Sequence, residues 1–160
     1  MMALVTALAH GLATALLGAG LGVQVFLSFL VAPSAFRLLD RAQAVPLMEG
    51  LFPGYYLFGV VTTTAALMLV LLLALAQPAA PLRWGAIALL SVVLVGTLYA
   101  GQVLLPQARA ARVRAQAAPA GDLAPLEFSR LHRRAVAVNI ALFGGGLLAL
   151  GLHAAGRPRP

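Results

Sequence analysis

The sequence predicts an all-α integral membrane protein, a bundle of four transmembrane helices. Three observations predict it. Of 160 residues, 62% are hydrophobic and 9% charged, where a soluble domain carries about 25% charged residues. Four apolar runs are each long enough to cross the roughly 30 Å hydrocarbon core of a bilayer. The charged residues gather between and beyond those runs, not within them. A soluble fold cannot account for this pattern, because four such runs in so short a chain leave nothing to bury them.

The elements follow in order within a single domain, residues 1–160. The first span covers about 4–32 and carries no charge. At about 1.5 Å per residue it is roughly 44 Å long, so it tilts or protrudes. It lacks a basic leader and is too long for a cleavable signal peptide. The second span covers about 54–76 and is closed by Gln77-Pro78; the third covers 84–105 and is closed by Pro106. Residues 77–83 form a short Pro-rich turn, so spans two and three are an antiparallel hairpin. The fourth span covers about 130–155 and ends at Gly156 and Pro158.

Two longer connections, 33–53 and 106–129, remain. The first is amphipathic and reads as a short interfacial helix leading into span two. Tyr55, Tyr56 and Trp84 stand where an aromatic belt would. In the second, Ala117 to Gly121 breaks the chain, and helix resumes near Pro125 with Asp122 as N-cap.

All eleven basic residues are arginine, giving a net charge of +7. Arg37, Arg41, Arg109, Arg112, Arg114, Arg130, Arg133 and Arg134 fall in the two longer connections and their borders, against Arg83, Arg157 and Arg159 on the other side. The positive-inside bias then places both connections in the cytoplasm and both termini outside. The membrane is expected to be the cell (inner or plasma) membrane. The arginines flank apolar runs and no aromatic residues interleave with them, which argues against nucleic acid as a partner.

Lipid gives no hydrophobic drive for helix association, so small residues that allow close approach carry the packing. Gly11, Ala15, Gly18 and Gly22 form one stripe on span one, and Ala137, Ala141, Gly145 and Ala149 another on span four. Gly18, Gly22, Ala141 and Gly145 are the expected packing positions. The same stripes suit a homo-oligomer or another membrane partner.

Several chemistries are excluded or disfavoured. The absence of cysteine removes disulfides, thiolate metal sites and cysteine nucleophiles. Ion pumps usually keep an acid or base near mid-membrane, and no charged residue falls within the apolar runs, the fourth of which begins at Ala135 after the arginines at the border of its span. Hydrolytic triads and phosphate loops are absent, so no catalytic residue is assigned. His10, His132 and His153 share no metal-ligand spacing, so no metal or other cofactor is expected, and His153 is placed at the outer surface. The neutral polar positions are few. Gln24 lies fourteen residues after His10 on nearly the same face, and His132 lies seven before Asn139 on one face with Phe128. Gln24 and Asn139 suit interhelical hydrogen bonding; with His132 they also suit a shared solute or ion site.

An ordered set of short motifs resembles a known family. Gly22-Val-Gln-Val-Phe-Leu-Ser-Phe29, Ala32-Pro-Ser-Ala-Phe-Arg37 and Leu51-Phe-Pro-Gly-Tyr-Tyr56 are followed by Pro106, Arg109, Phe128-Ser-Arg-Leu-His132 and Asn139. This is similar to the transmembrane protein 205-like family, also known as domain of unknown function 4149. The resemblance covers about residues 8–145. It implies a small four-span membrane protein with no established reaction, and signature positions Gln24, Pro33, Phe36, Arg37, Phe52, Pro53, Tyr55, Phe128, His132 and Asn139.

The expected function is therefore non-enzymatic. Gln24, Arg37, His132 and Asn139 would form a polar patch at the cytoplasmic end that binds or passes a small solute or ion. Gln24 sits deeper than the others. The alternatives are a structural or accessory subunit that packs on a partner through its Gly/Ala stripes, and a haem- or metal-dependent membrane oxidoreductase.

Overall fold

The computed structural model describes residues 1–76, 81–119 and 121–156. Among them there is helix and no strand. Helix α1 (Met2–Val25) passes through a π-helical segment (Phe26–Val31) into α2 (Ala32–Leu38). Helix α3 (Arg41–Ala76) follows after two residues. Helix α4 (Pro81–Tyr99) passes through a second π segment (Ala100–Leu104) into α5 (Leu105–Ala117), and α6 (Ala124–Ala155) closes the bundle. Four continuous rods result: Leu4–Leu38, Arg41–Ala76, Pro81–Ala117 and Ala124–Ala155, each long and apolar enough to cross a membrane. This is a multi-pass membrane protein whose apolar outer surface meets lipid.

The rods are longer than the apolar runs. The helix does not stop at Pro106, as expected from sequence, but continues to Ala117. Nor is 33–56 a separate interfacial helix: α3 starts at Arg41 and runs through Pro46 and Pro53. Each π segment runs up to a proline in the first turn of the next helix. A proline has no N–H and its ring crowds the carbonyl four residues earlier. For Pro33 and Pro106 those carbonyls belong to Phe29 and Gln102, inside the π segments, where the wider turn relieves the clash. Asp122 accepts a 2.8 Å bond from Ala124 N–H ahead of Pro125, and Gly121 takes a left-handed turn at φ 91°.

The rods pack in a ring, α1 on α3, α3 on α4, α4 on α6, and α6 back on α1. The covered face of the first rod comprises His10, Ala13, Leu17 and Leu27, and that of the third rod Arg83, Ala86, Leu90, Thr97, Ala100, Leu104 and Ala111. The steps of three, four and seven residues along the third rod are a heptad seam, the spacing of helices wound around one another. One core cluster takes Ala13 and Leu17 from α1, Ala66 and Val70 from α3, Ala86 and Leu90 from α4, and Ala149 from α6. A second joins Leu27, Ala35, Ala44 and Met48.

Of the glycines expected at helix contacts, Gly145 is at one and Gly18 and Gly22 are not. A Cβ on Gly20 would meet Thr62 at 3.0 Å, on Gly96 Leu142 at 2.5 Å, on Gly101 Tyr56 at 3.0 Å, on Gly145 Val93 at 3.1 Å, and on Gly146 Leu21 at 3.0 Å. A Cβ on Gly18 or Gly22 would meet nothing within 4 Å. The stripe Gly11, Ala15, Gly18 and Gly22 trails the covered face by one residue, about 100° around the helix, and is exposed. On α6 the stripe drifts about 40° per four-residue step: Ala141 is exposed, Gly145 half-buried and Ala149 fully covered.

Candidate functional site

Two polar layers cross the bundle, and α1 and α6 set their spacing. Gln24 follows His10 by fourteen residues, and His153 follows Asn139 by fourteen. The two helices are antiparallel, so Gln24 meets Asn139 at one level and His10 meets His153 at the other. Fourteen residues of helix separate the levels by roughly 21 Å.

The first layer centres on Asn139. Gln24 Nε2 donates to the Asn139 backbone carbonyl at 2.8 Å. Tyr55 donates its hydroxyl to Asn139 Oδ1 at 3.1 Å. Asn139 Nδ2 donates to the Tyr56 hydroxyl at 3.1 Å and to the Ala135 carbonyl at 2.9 Å. Both hydrogens and the oxygen of the Asn139 amide are thereby engaged, which locks its rotamer. Tyr55 and Tyr56 pack edge to face, 4.9 Å between ring centres. Phe52 stacks against Tyr56 at 6.3 Å and meets Tyr55 edge-on at 6.4 Å.

A cavity of about 50 Å³ opens beside this layer, lined by Gln24, Tyr55, Tyr56, Asn139 and the threonines Thr62, Thr63 and Thr97. Roughly 10–15 Å³ measured this way holds one water, so the space fits a few waters or one small solute. Its polar lining is uncharged. Thr62 and Thr97 turn their hydroxyls onto their own helix, bonding Phe58 and Val93 carbonyls at 2.8 and 2.7 Å. As hydroxyl oxygens keep lone pairs free, they still offer acceptors to an occupant.

The sequence-predicted residues are placed as follows. Gln24 and Asn139 come together. Arg37 is exposed on α2 and His132 is exposed on α6; His132 sits beside Phe128, 6.0 Å between ring centres. Pro33 and Phe36 are exposed and Phe52 and Tyr55 half-buried. The partners missed from sequence are Tyr55 and Tyr56 themselves, which read there as an interfacial belt.

Below the layer lie the charges. Glu49 pairs with Arg112 at 3.1 Å, and Arg109 donates to the Glu49 backbone carbonyl. Arg114 pairs with Glu127 at 2.7 Å on the surface. Arg134 lies over the Tyr99 ring at 5.6 Å.

The second layer gathers residues that the sequence assigns to different places. Arg83 is 0% exposed, His153 0% and His10 5%, although His153 was expected at the outer surface. The Arg83 guanidinium donates to the Leu73 carbonyl at 2.8 Å and the Gly156 carbonyl at 3.1 Å, and its Nη2 lies 3.2 Å from His10 Nε2. Leu73 is in the last turn of α3 and Gly156 directly follows α6. Such terminal carbonyls lack partners within their own helices, and a cation beside them also complements the helix dipoles. One side chain on α4 thus ties α1, α3 and α6. The sequence signal was the shared level of three polar residues on three helices. Among the described residues, no group of three His, Cys, Asp or Glu gathers as a metal site would need.

A family model described as "Domain of unknown function (DUF4149)" matches residues 15–117. An uncharacterized protein of Aquifex aeolicus (strain VF5) is 43% identical over 58 residues, 36% of this chain and 44% of the relative. The chain thus matches less than half the length of that relative. No solved structure matches significantly. The matched residues hold Gln24, Tyr55, Tyr56 and Arg83, while Asn139 lies beyond them, and on this match the chain belongs to the domain of unknown function 4149 family.

Proposed function

We propose that this protein is non-enzymatic and binds a small, uncharged, hydrogen-bonding solute in the cavity beside Asn139. The observation that carries the reading is the cavity's position among four apolar rods, with a polar lining that holds no ionisable acid or base except tyrosine. Taking an ion into such a site costs far more than taking in a neutral molecule, because no opposite charge replaces its hydration. The lining therefore favours a neutral solute over an ion. Arg37 and His132 enter this reading as the approach to the cavity from the arginine-rich end. His132 precedes Asn139 by two turns on the same face, roughly 10 Å along the axis. The positive-inside bias supports a cell-membrane orientation with that end in the cytoplasm. The Phe128, His132 and Asn139 motif supports the finer affiliation with transmembrane protein 205-like proteins.

The test uses the full chain in liposomes and in detergent. A panel of water, urea, glycerol and formamide, set against sodium, potassium and chloride, is scored for permeation and for thermal stabilisation. A neutral solute should give a signal that Asn139→Leu abolishes. A response to ions alone, or a neutral-solute signal untouched by Asn139→Leu, would refute the reading.

A second reading rests on the exposed stripe of Gly11, Ala15, Gly18 and Gly22, beside the open apolar groove of Val25, Phe26, Phe143 and Leu147. The chain is then an accessory subunit that packs on a second membrane helix. Crosslinking in native membranes, with and without Gly18→Ile, discriminates the two.

A further inference from the structure

Rods one and four part toward the arginine-rich end. Helix α1 packs on α6, but α2 packs on α3, where Leu27 and Ala35 close with Ala44 and Met48. The parting leaves an open groove on the lipid-facing side. Val25, Phe26, Phe29 and Leu30 of the first rod form one wall, and Phe143 and Leu147 of the fourth form the other. Every side chain that lines it is apolar, and its volume is about 540 Å³. Sites of roughly 300–1,000 Å³ hold drug-sized ligands, so the groove has room for a hydrocarbon chain.

Each wall of the groove runs on to an arginine. Arg37 follows Leu30 by seven residues, within about 20° around the helix, and Arg133 precedes Leu147 by fourteen, within about 40°. Both arginines are exposed, and neither joins an ion pair among the described residues. Arg133 donates one nitrogen to Ser129 on its own helix at 3.1 Å. The Gln24–Asn139 bond fixes the relative heights. From it, Leu30 and Arg133 are six residues toward the arginine-rich end and Arg37 thirteen, roughly 9 and 20 Å. Phe143 and Leu147 lie four and eight residues the other way, roughly 6 and 12 Å.

We propose that the groove holds an acyl chain of one anionic phospholipid from the leaflet at the arginine-rich end, with its phosphate between Arg37 and Arg133. The heights agree. Half of a roughly 30 Å hydrocarbon core is about 15 Å, and a chain that starts level with Leu30 and runs that far ends level with Phe143. Guanidinium groups suit phosphate oxygens, which they bind through paired N–H donors. A second membrane helix fits the apolar walls but brings no anion to the two arginines. A zwitterionic phospholipid brings the phosphate, but its own cation offsets the attraction. Charge complementarity thus selects an anionic lipid. This goes beyond the solute reading and does not depend on it.

The test is native mass spectrometry of the full chain, delipidated in detergent and offered equal amounts of phosphatidylglycerol and phosphatidylcholine with identical chains. Phosphatidylglycerol should be retained about five- to thirtyfold better, since each arginine near an anionic lipid contributes about fivefold. Arg37→Gln combined with Arg133→Gln should remove the preference. Arg130→Gln should keep it, because this exposed arginine lies about 100° around the helix from Leu147. Gly22 lines the groove with open space beside it, so Gly22→Leu should lower retention of both lipids. Glycerol 3-phosphate, a headgroup without chains, should displace neither. Equal retention of the two lipids overturns the proposal. So does a preference that survives the double variant or falls equally with Arg130→Gln, retention unchanged by Gly22→Leu, or displacement by glycerol 3-phosphate. A dimer of chains that excludes lipid also overturns it and gives the groove to a helix. The arginine variants change only exposed side chains, so their arm decides even if Gly22→Leu does not fold.

Discussion

Gln24 reaches the backbone carbonyl of Asn139, at 2.8 Å, and not its side chain. The bond between the first and last rods therefore survives any replacement at position 139 that keeps the helix. The Asn139 side chain serves a different pair of elements, joining α6 to Tyr55 and Tyr56 on α3.

This division predicts the outcome of double-mutant cycles read by unfolding in mixed micelles. Tyr55→Phe and Asn139→Ala should couple by about 0.6–1.7 kcal/mol, the range for interhelical hydrogen bonds in membranes. Gln24→Ala and Asn139→Ala should add almost independently, within about 0.5 kcal/mol. Strong coupling in the second cycle would mean that Gln24 uses the side chain after all.

Arg83 should be irreplaceable by lysine. A guanidinium offers donors in a planar fork, whereas an ammonium is a point charge on a flexible stem. Here two guanidinium nitrogens serve two carbonyls and a histidine. Arg83→Lys should cost on the order of 1–3 kcal/mol by leaving buried acceptors short of a donor. Arg83→Ala should cost more by also emptying the space. Thermal unfolding of the two variants at about pH 8 checks both, and a lysine variant as stable as wild type would contradict the bonding scheme.

The glycines separate into two classes. Gly101→Ala would drive a methyl to 3.0 Å from Tyr56 Cβ and 3.2 Å from its Cγ, atoms that cannot swing aside without moving the α3 backbone or the ring. Such overpacking costs roughly 1–3 kcal/mol, and it should also displace the Tyr56 hydroxyl from Asn139. Gly18→Ala and Gly22→Ala face open space. They should be neutral or stabilise the isolated chain by up to about 1 kcal/mol through helix propensity. Loss of stability at Gly18 in liposomes but not in dilute detergent would point to association through that stripe.

The ion pairs at the arginine-rich end should differ in weight. Arg114 and Glu127 are each about half exposed, at 54% and 52% of their side-chain surfaces. Their pair should contribute less than about 1 kcal/mol and fade with salt. Arg109 bonds the backbone of Glu49 and not its carboxylate. Glu49→Ala should therefore remove the Arg112 pair and leave the Arg109 contact. Salt-dependent unfolding of Arg114→Ala, Glu49→Ala and Arg109→Ala tests this order, with Arg109→Ala expected to be the most costly and the least sensitive to salt.

Much of the polar arrangement could have been found by counting heights. Fourteen residues separate His10 from Gln24 and Asn139 from His153, and antiparallel helices with equal spacing must match both pairs once one is matched. Reading each span alone hid this. Span by span, Arg83 and His153 look like markers of the outer side, since the first and last turns of a spanning helix commonly lie at the membrane surface. Only the packing of α1, α3 and α6 at this end covers both.

The sequence by itself determined that four apolar helices cross a bilayer. That conclusion needs only length and composition, because lipid cannot satisfy a backbone and any spanning segment must hydrogen-bond within itself. It also determined that Gln24 and Asn139 are polar positions in otherwise apolar surroundings. The tertiary structure decided which residues meet. It chose Tyr55 and Tyr56 as partners for Asn139, left Arg37 and His132 exposed, turned Gly18 and Gly22 outward, and buried Arg83 against His10. Periodicity tells which residues share a face on one helix. It does not tell how far that helix is rotated about its axis against its neighbours, and one residue of rotation, about 100°, separates the covered face of α1 from the stripe of glycines beside it.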